Sequence, residues 1–223
     1  MYQFYLLDID NTLLNFDAAE IRSFHKLLES YNISYEEELF RYYKNVNKSF
    51  WSLLEQGKVD KDTVLIGRFK ELFAYLGLDN DPAEAEKRFQ SNLSDAGEMM
   101  PHAEDTLLRL KAEGKKLYSA SNGVYITQIK RLEAAGLFSY FEGMFVSEKV
   151  GYEKPDKNFF DHCFENIKDF DKSKAIMVGD SLTSDIQGAC NSGIDSCLYN
   201  PKGSSTPSKA THTICDLKEL LSL

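Results

Sequence analysis

The stretch Leu6-Leu7-Asp8-Ile9-Asp10-Asn11-Thr12-Leu13-Leu14 places two carboxylates at the end of an apolar run that begins at Phe4. A short apolar run bounded by polar residues predicts a buried strand, and a strand alternates its side chains between two faces. Carried on through the acids, that alternation sends Asp8 and Asp10 to the same side. Like charges so close repel unless a proton or a cation intervenes. Two readings stay open from this segment alone. Either the strand ends in a polar turn, with Asp as turn former and Thr12 opening a cap, or the acids hold a metal or do chemistry.

Working outward, the pattern changes from Asp17 to about Leu93 into charged segments with helical periodicity. AAEIRSFHKLLESY, EEELFRYYKNVNKSFWSLLEQG, DKDTVLIGRFKELFAYLG and DPAEAEKRFQSNLSD predict four amphipathic helices. Gly57, Gly77 to Pro82 and the Gly97 region supply stops, while Asp62 and Asp81 are expected as caps. Strand signals are nearly absent there.

After Pro101 helix and strand alternate: EDTLLRLKAEGKK precedes LYSASNG, YITQIKRLEAAG precedes MFVSE, DKNFFDHCFENI precedes AIMVGD, and DIQGACNSG precedes SCLYN. Such alternation predicts a parallel sheet with helices on both faces. The opening strand has no partner in the helical block, so it must pair with the later strands. The expected fold class is therefore α/β: a Rossmann-like, doubly wound parallel core of residues 1–16 and 98–223, with residues 17–97 as an inserted α-helical domain. Lys202 to Lys209 is expected as a Gly/Ser/Pro-rich loop.

The 223 residues, 43% of them apolar, suffice for a substantial core. A net charge of -9 without any long basic run argues against a nucleic-acid polymer as partner, but leaves a small anionic ligand possible where local cations receive it. Cys163, Cys190, Cys197 and Cys215 form no close CxxC pair, so neither a zinc ribbon nor a dithiol redox motif is indicated, and free, mostly buried thiols are expected. His25, His102, His162 and His212 show no metal-ligand spacing. No basic, signal-like start and no apolar run near the about 18 residues of a membrane helix are present, so a cytoplasmic protein without a membrane partner is expected.

In open parallel sheets, ligands bind beyond the carboxyl ends of the strands. That rule gathers Asp8 and Asp10, then Ser121-Asn122-Gly123, then Lys154 ahead of Pro155, then Asp180 and Asp185 within Gly179-Asp180-Ser181-Leu182-Thr183-Ser184-Asp185. Singly, each has a structural reading as a turn, a helix cap or a solvated charge. Together, clustered acids invite a hard divalent cation with oxygen ligands.

DIDNT, SNG, the Lys154-Pro155 pair and GDSLTSD, in that order and at strand ends, resemble the four motifs of the haloacid dehalogenase-like hydrolase superfamily. The helical block between the first two motifs resembles the helical cap of one branch of that superfamily. VNKSFWSLLEQGKV, the Gly67 to Phe69 segment, SNG and VSEKVGYEKPD further resemble its bacterial pyrimidine 5'-nucleotidase subgroup.

The resemblance implies a phosphatase of small phosphomonoesters, with Asp8 as nucleophile forming an aspartyl-phosphate and Asp10 as acid and then base. It implies Mg²⁺ as cofactor, held by the Asp8 carboxylate, the Asp10 backbone carbonyl and Asp180, with Asp185 supporting the metal shell. Ser121, the Asn122 backbone N–H and Lys154 would bind phosphate. Tyr42, Tyr43, Phe50, Trp51 and Phe69 could stack a base, with Asn47 and Lys48 on its edge, or could be cap core. Other readings are a sugar-phosphate phosphatase or phosphomutase and, from another class, a phospho-accepting signalling module. No obligatory protein partner is expected.

Overall fold

The computed structural model describes residues 1–205 and 207–223. The loop expected at Lys202 to Lys209 therefore includes one position outside the described residues. By contact the chain divides into two compact units, Met1–Phe16 with Gly97–Leu223, and Asp17–Ala96.

The first unit is built on a six-stranded parallel sheet. Its strands are β1 (Phe4–Leu7), β2 (Lys116–Ser121), β3 (Gly143–Val146), β4 (Ala175–Gly179), β5 (Asp195–Tyr199) and β6 (His212–Ile214), in the order β3-β2-β1-β4-β5-β6. The opening strand lies centrally, with Leu6 opposite Tyr118 of β2 and Met177 of β4. All four of its residues are buried. Their alternation is why: Tyr5 and Leu7 enter a cluster with Leu107, Leu132 and Leu217, whereas Phe4 and Leu6 enter one with Phe159, Phe160 and Ala189. Parallel sheets are covered on both faces because crossover helices lie over each of them.

One face is covered from α5 (Ala103–Ala112) and α6 (Tyr125–Ala134), the other from α8 (Lys157–Glu165) and α9 (Gln187–Ser192). The short α7 (Ser147–Val150) follows β3. This is the doubly wound α/β architecture expected from the rhythm of the sequence. The edge strand β6, with three residues, carries too weak an apolar signal to have been anticipated.

The second unit contains α1, whose full helix is Phe16–Ser30, with α2 (Glu37–Glu55), α3 (Lys61–Leu76) and α4 (Pro82–Ser94). Asp60, not Asp62, caps α3, accepting from the Thr63 N–H at 2.8 Å; Asp62 sits in the first turn, where the helix dipole favours an acid. Gly77 closes α3 at φ 66, a left-handed conformation that glycine adopts without a side-chain clash. Asp81 caps α4 as expected, one residue before Pro82.

For Tyr43 and Phe69 the interior of this unit decides for cap core, and it corrects the expectation that Asn47 bonds the edge of a base. Tyr43 and Phe69 are fully buried, their rings stacked at 5.6 Å, and Tyr43 also stacks on Phe24 at 4.6 Å. Asn47 is buried too, donating to Glu20 and accepting from Arg68. These three hold the helices together, and the polar edge of Asn47 is already spent on that network.

Candidate active site

β1 ends at Leu7, so strand alternation does not run on through Asp10. The Asp8 N–H still donates to the Val178 carbonyl at 2.9 Å, tying this residue to the neighbouring strand. Beyond it the chain turns tightly: the Leu13 and Leu14 N–H groups both donate to the Ile9 carbonyl, and Asn11 has φ 58. Asparagine tolerates that left-handed conformation better than most side chains. The two acids take different hydrogen-bond partners.

Asp8 is buried, with Oδ1 accepting from Lys154 Nζ at 2.8 Å and Oδ2 from Thr12 Oγ1 at 3.4 Å. Burial holds its carboxyl well above the usual carboxylate range; Lys154 opposes this, and the charges of Asp185, Asp180 and Asp10 reinforce it. Asp10 is partly exposed, accepting from Gln128 Nε2 at 2.7 Å on Oδ2 and from Arg131 Nη1 on Oδ1.

Lys154 reaches the site from the loop between α7 and α8. Its Nζ donates to Asp8, to Asp185 Oδ1 at 2.6 Å and to the Ala120 carbonyl. Burial alone would pull this ammonium down, but Asp185 and Asp8 outweigh it and hold the group above its ordinary range. Its backbone is fixed by Asn122, whose Nδ2 donates to the Lys154 carbonyl and whose Oδ1 accepts from the Lys154 N–H, each at 2.8 Å. The Asn122 side chain thus positions the lysine, which leaves only its backbone to meet an anion.

Ser121 is 1% exposed, and its Oγ accepts from the Gly123 N–H at 3.1 Å and Gln128 Nε2 at 2.8 Å. On the other side of β1, β4 runs into Asp180, where Ser181 caps a wide π-helical turn, Leu182–Ile186. Asp185 in that turn is fully buried, accepting from the Ser181 N–H at 3.1 Å through Oδ2. Asp180 is pushed up to about 7, by burial first and by the neighbouring Asp185 charge next.

The strand ends thus bring Asp8, Lys154, Asp180 and Asp185 together. Carboxylate oxygens of Asp8, Asp180 and Asp185 lie within 4.8 Å of one another. Ser121 joins this group through Gln128, which also bonds Asp10. Gln128 and Arg131 are the residues that motif reading missed. Their signal was their spacing of three in the helix that follows SNG, which places both on one helical face.

The haloacid dehalogenase-like hydrolase family model matches residues 2–193. The chain belongs to the haloacid dehalogenase-like hydrolases. Within this family it is similar to the pyrimidine 5'-nucleotidase PynA of Streptococcus pneumoniae, with 37% identity over 99% of this chain and 94% of that protein. It is 30% identical to the pyrimidine 5'-nucleotidase YjjG of Escherichia coli, over 96% of this chain and 93% of the relative. Among solved structures it resembles the HAD-hydrolase YfnB of Bacillus subtilis, in a crystal form bound to magnesium. That pair has a TM-score of 0.93 and 36% identity, covering 99% of this chain and 97% of the other. The acids and the lysine converge in the loops beyond the strand ends.

Proposed function

We propose that this hydrolase is a Mg²⁺-dependent phosphatase of small phosphomonoesters, and specifically a nucleotidase acting on pyrimidine nucleoside 5'-monophosphates. The observation that carries the chemistry is the buried Asp8, held at 2.8 Å by Lys154 beside two further carboxylates. The substrate rests on similarity to two pyrimidine 5'-nucleotidases along more than nine-tenths of the chain.

In this reading Asp8 attacks phosphorus and forms an aspartyl-phosphate, dividing one displacement into two. Asp10 gives a proton to the departing alkoxide and later takes one from the water that hydrolyses the intermediate. Ser121 and the Asn122 backbone N–H receive the equatorial oxygens, whose charge must be stabilised in the transition state, and Lys154, whose three donors go to Asp8, Asp185 and the Ala120 carbonyl, supplies its positive charge beside them. Lys154 has a second task, keeping Asp8 and Asp185 from repelling each other.

The residues present fit a divalent cation. Three carboxylates within 4.8 Å share one ammonium, and that ammonium bonds only two of them. An all-oxygen donor set suits a hard ion such as Mg²⁺. Asp8, the Asp10 backbone carbonyl and Asp180 would hold it, with Asp185 behind them, and when bound it supplies positive charge against the acids and the incoming phosphate.

We assign the helical unit, residues 17–96 in the structure, the role of the cap that selects the leaving group. The four cysteines are free, which suits a reducing compartment, and the cytoplasm is the location we assign. Among the described residues no helix is long and apolar enough to cross a membrane. The experiment that tests the function is phosphate release, with Mg²⁺ and with chelator, from purine and pyrimidine nucleoside monophosphates and hexose phosphates. Metal-dependent release chiefly from the pyrimidine nucleotides is expected; release chiefly from hexose phosphates would retain the chemistry and overturn the substrate.

A further inference from the structure

Helix α6 carries two polar side chains into the catalytic loops, although neither stands in the four motifs. Arg131 is 1% exposed and Gln128 2%, so each was taken from water for a reason that packing alone does not supply. Both reach Asp10. Arg131 Nη1 donates to Oδ1 and Gln128 Nε2 to Oδ2 at 2.7 Å, so the plane of the carboxylate is defined by a donor on each oxygen. The two donors are themselves joined, Arg131 Nη1 donating to Gln128 Oε1 at 3.2 Å.

Gln128 Nε2 also donates to Ser121 Oγ at 2.8 Å. One amide nitrogen thereby links Asp10 to the hydroxyl at the end of β2. Room for it is made by Gly123: a Cβ there would lie 2.5 Å from Gln128 Nε2. The glycine of SNG is in this way matched to a side chain five residues later.

The helix itself is held at its far end. A Cβ on Gly97 would lie 2.8 Å from the Ala134 carbonyl carbon, so the backbone there passes directly against α6. The guanidinium of Arg131 also lies 5.7 Å from the ring centroid of Phe16.

We infer that Gln128 and Arg131 are positioning residues that hold the Asp10 carboxylate in the orientation from which it exchanges protons with leaving group and water, and that Gln128 sets the distance between Asp10 and Ser121. The inference rests on the phosphatase reading above. A proton-transfer group must lie within hydrogen-bond reach of the atom it serves, and misplacement by about 1 Å costs on the order of 10²-fold in rate. A side chain with freely rotating torsions on a loop would spend most of its time elsewhere.

The test is a kinetic comparison of wild type, Gln128→Leu, Arg131→Met, Arg131→Lys and Asp10→Asn on a pyrimidine nucleoside monophosphate and on p-nitrophenyl phosphate, whose leaving group needs no proton. Gln128→Leu and Arg131→Met should lower kcat on the nucleotide by about 10²-fold with KM within about threefold, and lower it far less on the aryl ester. Arg131→Lys should recover part of the loss. Adding Arg131→Met to Asp10→Asn should cost less than about threefold more, since residues acting as one unit are not additive.

Equal losses on both esters, or a full further loss in the Asp10→Asn background, would overturn the inference, as would unchanged kcat. If Arg131→Met does not fold, Gln128→Leu carries the same comparison. A wild type that hydrolyses no phosphomonoester would instead remove the phosphatase reading. Crystal structures then decide the inference separately: a displaced or disordered Asp10 carboxylate in Gln128→Leu supports positioning, and an unmoved one refutes it.

Discussion

Gly179 and Asp185 are matched by shape: a Cβ at position 179 would lie 2.0 Å from Asp185 Oδ2 and 2.2 Å from its Cγ. The carboxylate thus occupies the space that any other residue at the end of β4 would fill. In Gly179→Ala, Asp185 must move and give up its bonds from Lys154 and the Ser181 N–H. Overpacking of this kind costs about 1–3 kcal/mol. We expect a lowered urea midpoint of that size together with an activity loss on the order of 10-fold or more, the scale on which supports of a metal shell act, if Asp185 has the role proposed for it. Wild-type phosphate release from Gly179→Ala would remove Asp185 from the site.

Lys154→Met should be the most destabilising single change in the catalytic loops. It leaves Asp8 and Asp185 buried, facing each other, without the ammonium that both accept from. Breaking a buried ion pair by removing one partner costs about 3–5 kcal/mol. Denaturation in chelator should show the full loss, and denaturation in Mg²⁺ a smaller one, because the variant's acids, without the ammonium, bind the cation more tightly than the wild type's and gain more from it by mass action. Equal losses in the two conditions would count against a cation among these acids.

The parallel core was legible because its strands obey a strong rule: apolar runs such as Phe4–Leu7 and Ala175–Gly179 are buried on both faces and end in polar residues. The acids, Ser121 and Lys154 could be gathered from strand ends alone. Gln128 and Arg131 could not, because a polar residue on an amphipathic helix ordinarily marks the solvent face. Asn47 misled for the converse reason. With Lys48 it reads as bonding the edge of a base, and only the placement of Glu20 and Arg68, far apart in sequence, shows that it is buried. Alternation puts Asp10 on the same side as Asp8; β1 ends at Leu7, so the turn at Asn11 rather than the strand sets its position, and its charge still acts on Asp8.

Asp8→Asn should end turnover while sparing the fold. The substitution keeps an oxygen acceptor for Lys154, and Lys154 retains Asp185 and the Ala120 carbonyl. It also removes a charge whose burial is unfavourable. A thermal midpoint within a few degrees of wild type is expected, with kcat lowered by at least about 10³-fold, as for loss of a nucleophile. Retained activity would exclude Asp8 from covalent chemistry.

Arg68 presents the sharpest test of the helical unit. Its Nη2 lies 2.6 Å from Glu86 Oε2 and its Nη1 2.9 Å from Asn47 Oδ1, and the guanidinium lies 4.9 Å from the Phe89 ring centroid. Side-chain exposures of 2% for Arg68 and 10% for Glu86 make this a buried pair. Removing one partner strands the other charge, so Arg68→Met should cost about 3–5 kcal/mol. Replacing both, as Arg68→Met with Glu86→Leu, should recover much of that loss, because an apolar pair of similar volume no longer has to desolvate ions. Urea unfolding of the two singles and the double closes the cycle. A double variant as unstable as the sum of the singles would mean that α3 and α4 depend on the charges themselves, through Asn47 and Glu20, rather than on the volume they fill.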